Sequence, residues 1–131
     1  MAELSNQATV SVRKGPLVGP VLGRVVGMLA ARAQCPIDRL DDAMLLTDAV
    51  AAHAPSHTAD DHVRVVVAAD DGGIELRVES LASDGARGLL ADAELPGVGN
   101  VFDRVADEVD ARPGGASAAG ELVLRLRFAA A

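Results

Sequence analysis

The stretch IDRLDDAMLLTDAVAAH, Ile37–His53, decides how the rest of the chain must fold. On a period of about 3.6 residues, Leu40, Ala43, Met44, Leu46, Val50, Ala51 and Ala54 gather on one broad stripe. That pattern predicts a helix with one side laid on a core. Asp38, just after Pro36 and Ile37, has N-cap chemistry, and Asp41 and Asp42 fall in the first turn, where the helix dipole favours negative charge. Asp41, Asp48 and Ala52 lie on the flank of the stripe, with Asp48 and Ala52 one turn apart.

Such a helix needs an apolar sheet to cover, and the sequence supplies one on both sides of it. Downstream, residues 62–69 alternate Val63, Val65 and Val67 against Arg64 and Val66, and residues 74–78 alternate Ile74, Leu76 and Val78 against Glu75 and Arg77. Asp70-Asp71-Gly72-Gly73 between them has hairpin-turn composition, so the two stretches read as paired strands. Upstream, residues 9–13 form a short strand closed by Gly15-Pro16. Residues 17–33 read as a helix apolar almost all round, starting near Leu17. Arg24, Arg32 and Pro20 argue against a membrane span there. Gly19, Gly23 and Gly27 recur every fourth residue and would let another helix approach closely. Two readings stay open: burial inside the monomer, or a seam for self-association or a partner.

Residues 80–96 show no clear period, contain Gly85, Gly88 and Pro96, and read as a long functional or mobile loop. Gly97-Val98-Gly99-Asn100 then opens a third helix, with Val101, Phe102, Val105 and Ala106 as its apolar side. Residues 108–112 are a short strand candidate, and residues 113–120 a Gly/Ala/Ser hairpin loop. Leu122, Leu124, Leu126 and Phe128 alternate against Val123, Arg125 and Arg127 in a closing strand.

Composition narrows the function. The 131 residues suit one domain, 1–131, and half of them are hydrophobic, but the only aromatics are Phe102 and Phe128, so the core is aliphatic. A net charge of −7 with scattered Arg excludes a basic nucleic-acid patch. A single Cys35 allows no internal disulfide, and no secretion signal is evident, so a cytoplasmic setting is expected. Abundant Ala and Arg with almost no Lys suggest a GC-rich bacterial gene.

The element order over nearly the whole chain resembles the histidine-kinase-like ATPase domain of the GHKL superfamily, closest to its anti-sigma factor serine/threonine kinases. LLTDAVAAHA resembles that family's N-box helix, GGIELRVES its second hairpin strand, GVGNVFDRVADEVDA its GxG-helix and acidic turn, and PGGASAAGELVLRLRF its closing hairpin. The resemblance implies an α/β (α+β) two-layer sandwich: a mixed, mostly antiparallel sheet with three helices on one face.

It also implies a nucleotide site whose groups are partly replaced. The N-box Glu position falls on Asp48, and the Asn that would hold Mg²⁺ falls on Ala52, which ligates no metal. The adenine-reading Asp falls on Ser80 and the following Gly on Ala82; Glu79, one residue away, points to the other face by the period of two. Gly97 and Gly99 keep the phosphate-cradling pair, with Asn100 where the family prefers Leu. Each has a plain reading too: Asp48 as a solvated carboxylate, Gly97 and Gly99 as a turn and helix start. His53 and His57 are separated by Pro55 and lack a third ligand, so no metal site is expected. No arrangement suggests nucleophilic catalysis.

The reading is an anti-sigma-factor-like regulatory protein acting by protein–protein binding, with ATP use weak or lost. The implied partners are a sigma factor, an anti-anti-sigma protein, or both, with a homodimer possible and neither nucleic acid nor membrane involved. The rivals are an active ATP·Mg²⁺-dependent serine/threonine kinase using Asp48, and an accessory module that only dimerises.

Overall fold

In the computed structural model of the chain, which describes residues 6–115 and 119–128, the alternating stretches pair into one sheet. The elements run β1 (Asn6–Arg13), α1 (Val18–Arg32), α2 (Ile37–His53), a 3-10 turn (Ala54–His57), β2 (His62–Asp70), β3 (Gly73–Leu81), α3 (Gly85–Asp92), β4 (Glu94–Leu95), β5 (Gly99–Asn100), α4 (Val101–Val105), β6 (Glu108–Arg112) and β7 (Gly120–Arg127). Five strands form a sheet in the order β1-β2-β3-β7-β6, and each neighbouring pair is antiparallel. The helices pack on one side, giving the two-layer α+β sandwich that the stripe and the alternation require.

The period of two divides the sheet cleanly. Val63, Val65, Val67, Ile74, Leu76, Val78, Leu122, Leu124 and Leu126 are all buried against the helices. The opposite face is a lattice of ion pairs. Glu75 bridges Arg77 and Arg125, and Glu108 bridges Arg125 and Arg127. The hydrogen bonds that Arg125 donates to Glu75 and then to Glu108 raise its pKa above the ordinary value. Arg77 runs between the buried Val66 and Val123, its partners across β2 and β7.

α2 lies as expected, with Ala43, Leu46, Ala49 and Val50 buried. Its start differs. Ile37 is already helical and Pro36 stands at the cap, so Asp38 sits in the first turn and makes no capping bond. Arg39 ties the helix to the far edge of the sheet, donating to the Arg127 carbonyl at 2.8 Å and pairing with Asp42 and Asp107.

α1 is less apolar all round than its composition suggests: Val18, Leu22, Val26, Leu29 and Ala30 are buried, and Leu17, Val21 and Met28 are exposed. Its glycines resolve the two readings of the small-residue row. A Cβ on Gly19 would meet Ala51 at 3.7 Å, and one on Gly23 would meet the Met44 methyl at 3.4 Å. Both glycines therefore serve the contact of α1 with α2 within the chain. Gly27 has nothing within 4 Å of a Cβ position. Gly27→Ala should raise unfolding stability by about 0.5–1 kcal/mol, because Ala costs less backbone entropy in a helix. A urea titration showing no gain would show that Gly27 is needed for packing.

Candidate functional site

Asp48 and Ala52 sit on the outward arc of α2, both exposed. Among the described residues, no hydrogen bond or ion pair engages the Asp48 carboxylate.

Ser80 stands at an irregularity in β3. The pairing with β7 shifts register between Val78 and Leu81, and Ser80 has a φ of 56°, so Val78 and Leu81 both reach the core although three residues apart. Glu79 stays on the charged face, opposite Arg64. The Ser80 carbonyl accepts the Ala59 amide at 2.8 Å, and the Ala82 amide donates to the His57 carbonyl at 2.8 Å. Ser80 and Ala82 are thus stitched to the 3-10 turn that follows α2 and to the connector after it.

Gly97 and Gly99 lie in a two-stranded hairpin rather than at the start of a long helix. Leu95 pairs with Gly99, and the Val98 amide donates to the Leu95 carbonyl at 3.0 Å. Their φ angles of 77° and 98° explain why both are glycine. α4 behind them is only five residues long, and the Asn100 Oδ1 accepts the Phe102 amide at 3.0 Å. One of the helix-start donors that a phosphate would use is therefore taken by a side chain of the chain itself. α4 packs on α2, so all the residues named from the sequence attach to α2, through either the 3-10 turn or α4.

The segment 80–96 departs most from expectation. It is not a loop: its middle is α3, with Ala86, Leu89 and Ala93 buried at 2%, 0% and 2% exposure. Gly85 and Gly88 let it press on the 3-10 turn, since a Cβ on Gly88 would stand 2.7 Å from the His57 ring. His57 Nε2 meets the Asp92 carboxylate across that contact. From the other side, Asn100 Nδ2 donates to the Leu90 carbonyl at 2.6 Å. His57, Asp92 and Asn100 were not singled out for this role by sequence. The available signal was Ala86, Leu89, Leu90 and Ala93 at a helical spacing of i, i+3, i+4 and i+7, masked by two glycines that lower helix propensity.

Other clusters carry less. Asp60, Asp61 and His62 bring ligand atoms within 4.8 Å of one another. However, a hydrogen bond from Arg64 holds the Asp60 carboxyl below its usual range, and one from His62 does the same for Asp61. Burial, then the charge of Asp38, pushes the Cys35 thiol up, which disfavours its reactive thiolate. A hollow of about 300 Å³ opens where the β2–β3 turn meets the start of β6 and the end of β7, but none of Asp48, Ala52, Ser80, Ala82, Gly97 or Gly99 lines it. Among the described residues, no helix is long and apolar enough to cross a membrane.

No protein-family model matches the sequence, and no curated protein matches it. Among solved structures, the chain is similar to the crystal structure of the RsbU and RsbW domains of Rv1364c from Mycobacterium tuberculosis, with a TM-score of 0.63 and 14% identity over 94% of this chain. The match spans 31% of that chain, and the likeness is one of fold.

Proposed function

We propose that the chain is a regulatory protein of the anti-sigma type, which acts by binding another protein and has weak ATP use or none. The observation that carries this reading is the state of the segment between Ser80 and the GxG pair. Where the resembled ATPases would need a nucleotide lid, this chain puts Ala86, Leu89 and Ala93 into the core. Lifting α3 to admit a nucleotide would expose Leu89, at a cost of about 1.5–3 kcal/mol for that side chain alone. The groups that should repay this cost are weak: Ser80 in place of a carboxylate, Ala52 in place of a metal ligand, and a Phe102 amide already bonded to Asn100. Loss of the charge-assisted bond to adenine removes a further roughly 1.5–3 kcal/mol, or about tenfold to more than a hundredfold in affinity.

The fold shared with a chain that contains an RsbW domain supports the reading from a second direction. Its partners would then be a sigma factor, an anti-anti-sigma protein, or both, in a bacterial cytoplasm. Calorimetric titration with ATP and Mg²⁺ is the test. The expected result is no saturable binding in the micromolar range. Clear micromolar binding would overturn the loss of ATP use and favour a serine/threonine kinase with Asp48 as its catalytic carboxylate.

A further inference from the structure

The sheet face turned away from the helices carries a depression, the hollow of about 300 Å³ beside the β2–β3 turn. Directly paired residues of antiparallel strands share a face, so the registers place its charged and small residues in two neighbouring rows. One row crosses four strands as Ala68, Glu75, Arg125 and Glu108. The next runs through Asp70, Gly73 and Arg127. Small residues in adjoining rows make the depression: Gly73 has no side chain and Ala68 only a methyl, between long charged neighbours. The bonds of the walls are partly spent. Glu75 accepts from Arg77 and Arg125, one on each oxygen, and Glu108 accepts from Arg125 and Arg127 in the same way. What remains lies at opposite sides. On β7, among the described residues, Arg125 Nη2 and Arg127 Nε and Nη1 donate to no partner. On β2, Asp70 Oδ1 accepts the Gly72 and Gly73 amides, and Oδ2 accepts from none of the described residues.

We propose that this hollow binds a small zwitterion of α-amino-acid size, its carboxylate on the guanidiniums of Arg125 and Arg127 and its ammonium on Asp70. The charge pattern selects against simpler ligands. A plain anion would reach the two guanidiniums only by approaching Asp70, Glu75 and Glu108 as well. A plain cation would find one open carboxylate beside two guanidiniums. A molecule carrying both charges satisfies both sides with charge-assisted hydrogen bonds. The spacing sets the size. β2 and β7 lie two strand spacings apart, about 9.5 Å. One hydrogen bond of about 2.9 Å at each end leaves roughly 4 Å between the ligand's charges, about the separation of an ammonium and a carboxylate on one carbon. The volume agrees, since it falls at the small end of the roughly 300–1,000 Å³ of ligand pockets. The floor of Ala68 and Gly73 leaves room for a short aliphatic side chain over the middle strand.

The test is a nuclear magnetic resonance titration of the isotope-labelled chain with free alanine, followed at the Gly72 and Gly73 amides and the Arg125 and Arg127 Nε–H groups. The expected result is saturable shifts at these positions in the millimolar range. Alanine amide, which lacks the carboxylate, and N-acetylalanine, which lacks the ammonium, should each bind about tenfold more weakly or less. Asp70→Asn keeps an oxygen for the glycine amides and removes the charge, so it should weaken alanine by a similar factor. Ala68→Leu fills the floor without touching a charge and should abolish the shifts. Circular dichroism checks that both variants are folded, and the two blocked ligands test the wild-type chain without any substitution. No saturable shift with alanine, equal binding of the blocked ligands, or unchanged binding by a folded Ala68→Leu chain would overturn the proposal. None of these outcomes bears on the ATP titration.

Discussion

Phe102→Ala is expected to cost about 3–5 kcal/mol, a large part of the roughly 5–15 kcal/mol that holds a domain together. Phe102 is fully buried at 0% exposure, in a core otherwise built from Val, Leu, Ile and Ala. Small aliphatic neighbours can close only part of the space left by a ring, so most of the cavity should persist. α4 holds this anchor within just five residues, and its first turn depends on the Asn100 cap. The same substitution should therefore loosen the β4–β5 hairpin and the bond from Asn100 to the Leu90 carbonyl. Urea unfolding measures the first effect, and amide exchange at Leu90 and Phe102 the second. A loss under about 1 kcal/mol would mean that the core refills the site.

Gly73→Ala should cost about 3 kcal/mol, while Gly72→Ala should change stability by less than about 1 kcal/mol. A Cβ on Gly73 would stand 2.3 Å from the Leu126 carbonyl oxygen and 3.3 Å from the Arg127 Cα. Both are backbone atoms of β7, fixed by the β3–β7 ladder, so the strands would have to part. A Cβ on Gly72 would meet only the Asp70 carboxylate at 3.3 Å, a side chain free to turn away. That carboxylate accepts both glycine amides, at 2.8 Å and 3.1 Å, so its displacement explains a small residual cost. Thermal unfolding of the two variants side by side decides the matter; equal losses would show that turn chemistry, not the approach of β7, sets the requirement.

The two glycines show where sequence reading stops. Asp70-Asp71-Gly72-Gly73 announced a hairpin because turn chemistry is local, and the hairpin is there. Which glycine cannot be replaced depends on Leu126, more than fifty residues away. The same division applies to the candidate site. The chain positions of Asp48 and Ala52 on a helix were legible from period, whereas Gly97 and Gly99, read as opening a helix, lie in the β4–β5 hairpin. That Asp48 faces solvent, and that Asn100 occupies the Phe102 amide, depends on how α2 and α4 pack.

By itself the sequence determined the elements whose patterning is repetitive: the stripe of α2, the alternation of β2, β3 and β7, and hence a sheet with helices on one side. A period is a local property and survives any tertiary arrangement that buries one face. Only the tertiary structure decided that residues 80–96 contain a helix, that Gly19 and Gly23 serve the α1–α2 contact, and that Arg125 is held between Glu75 and Glu108 of the neighbouring strands. The reason is common to all three. Gly85 and Gly88 look like loop residues until His57 arrives to fill the space they leave, and a glycine on a helix does not specify its neighbour. An arginine on a strand does not reveal whether a carboxylate from another strand will reach it. These are contacts between distant parts of the chain, and they exist only once the layers have closed.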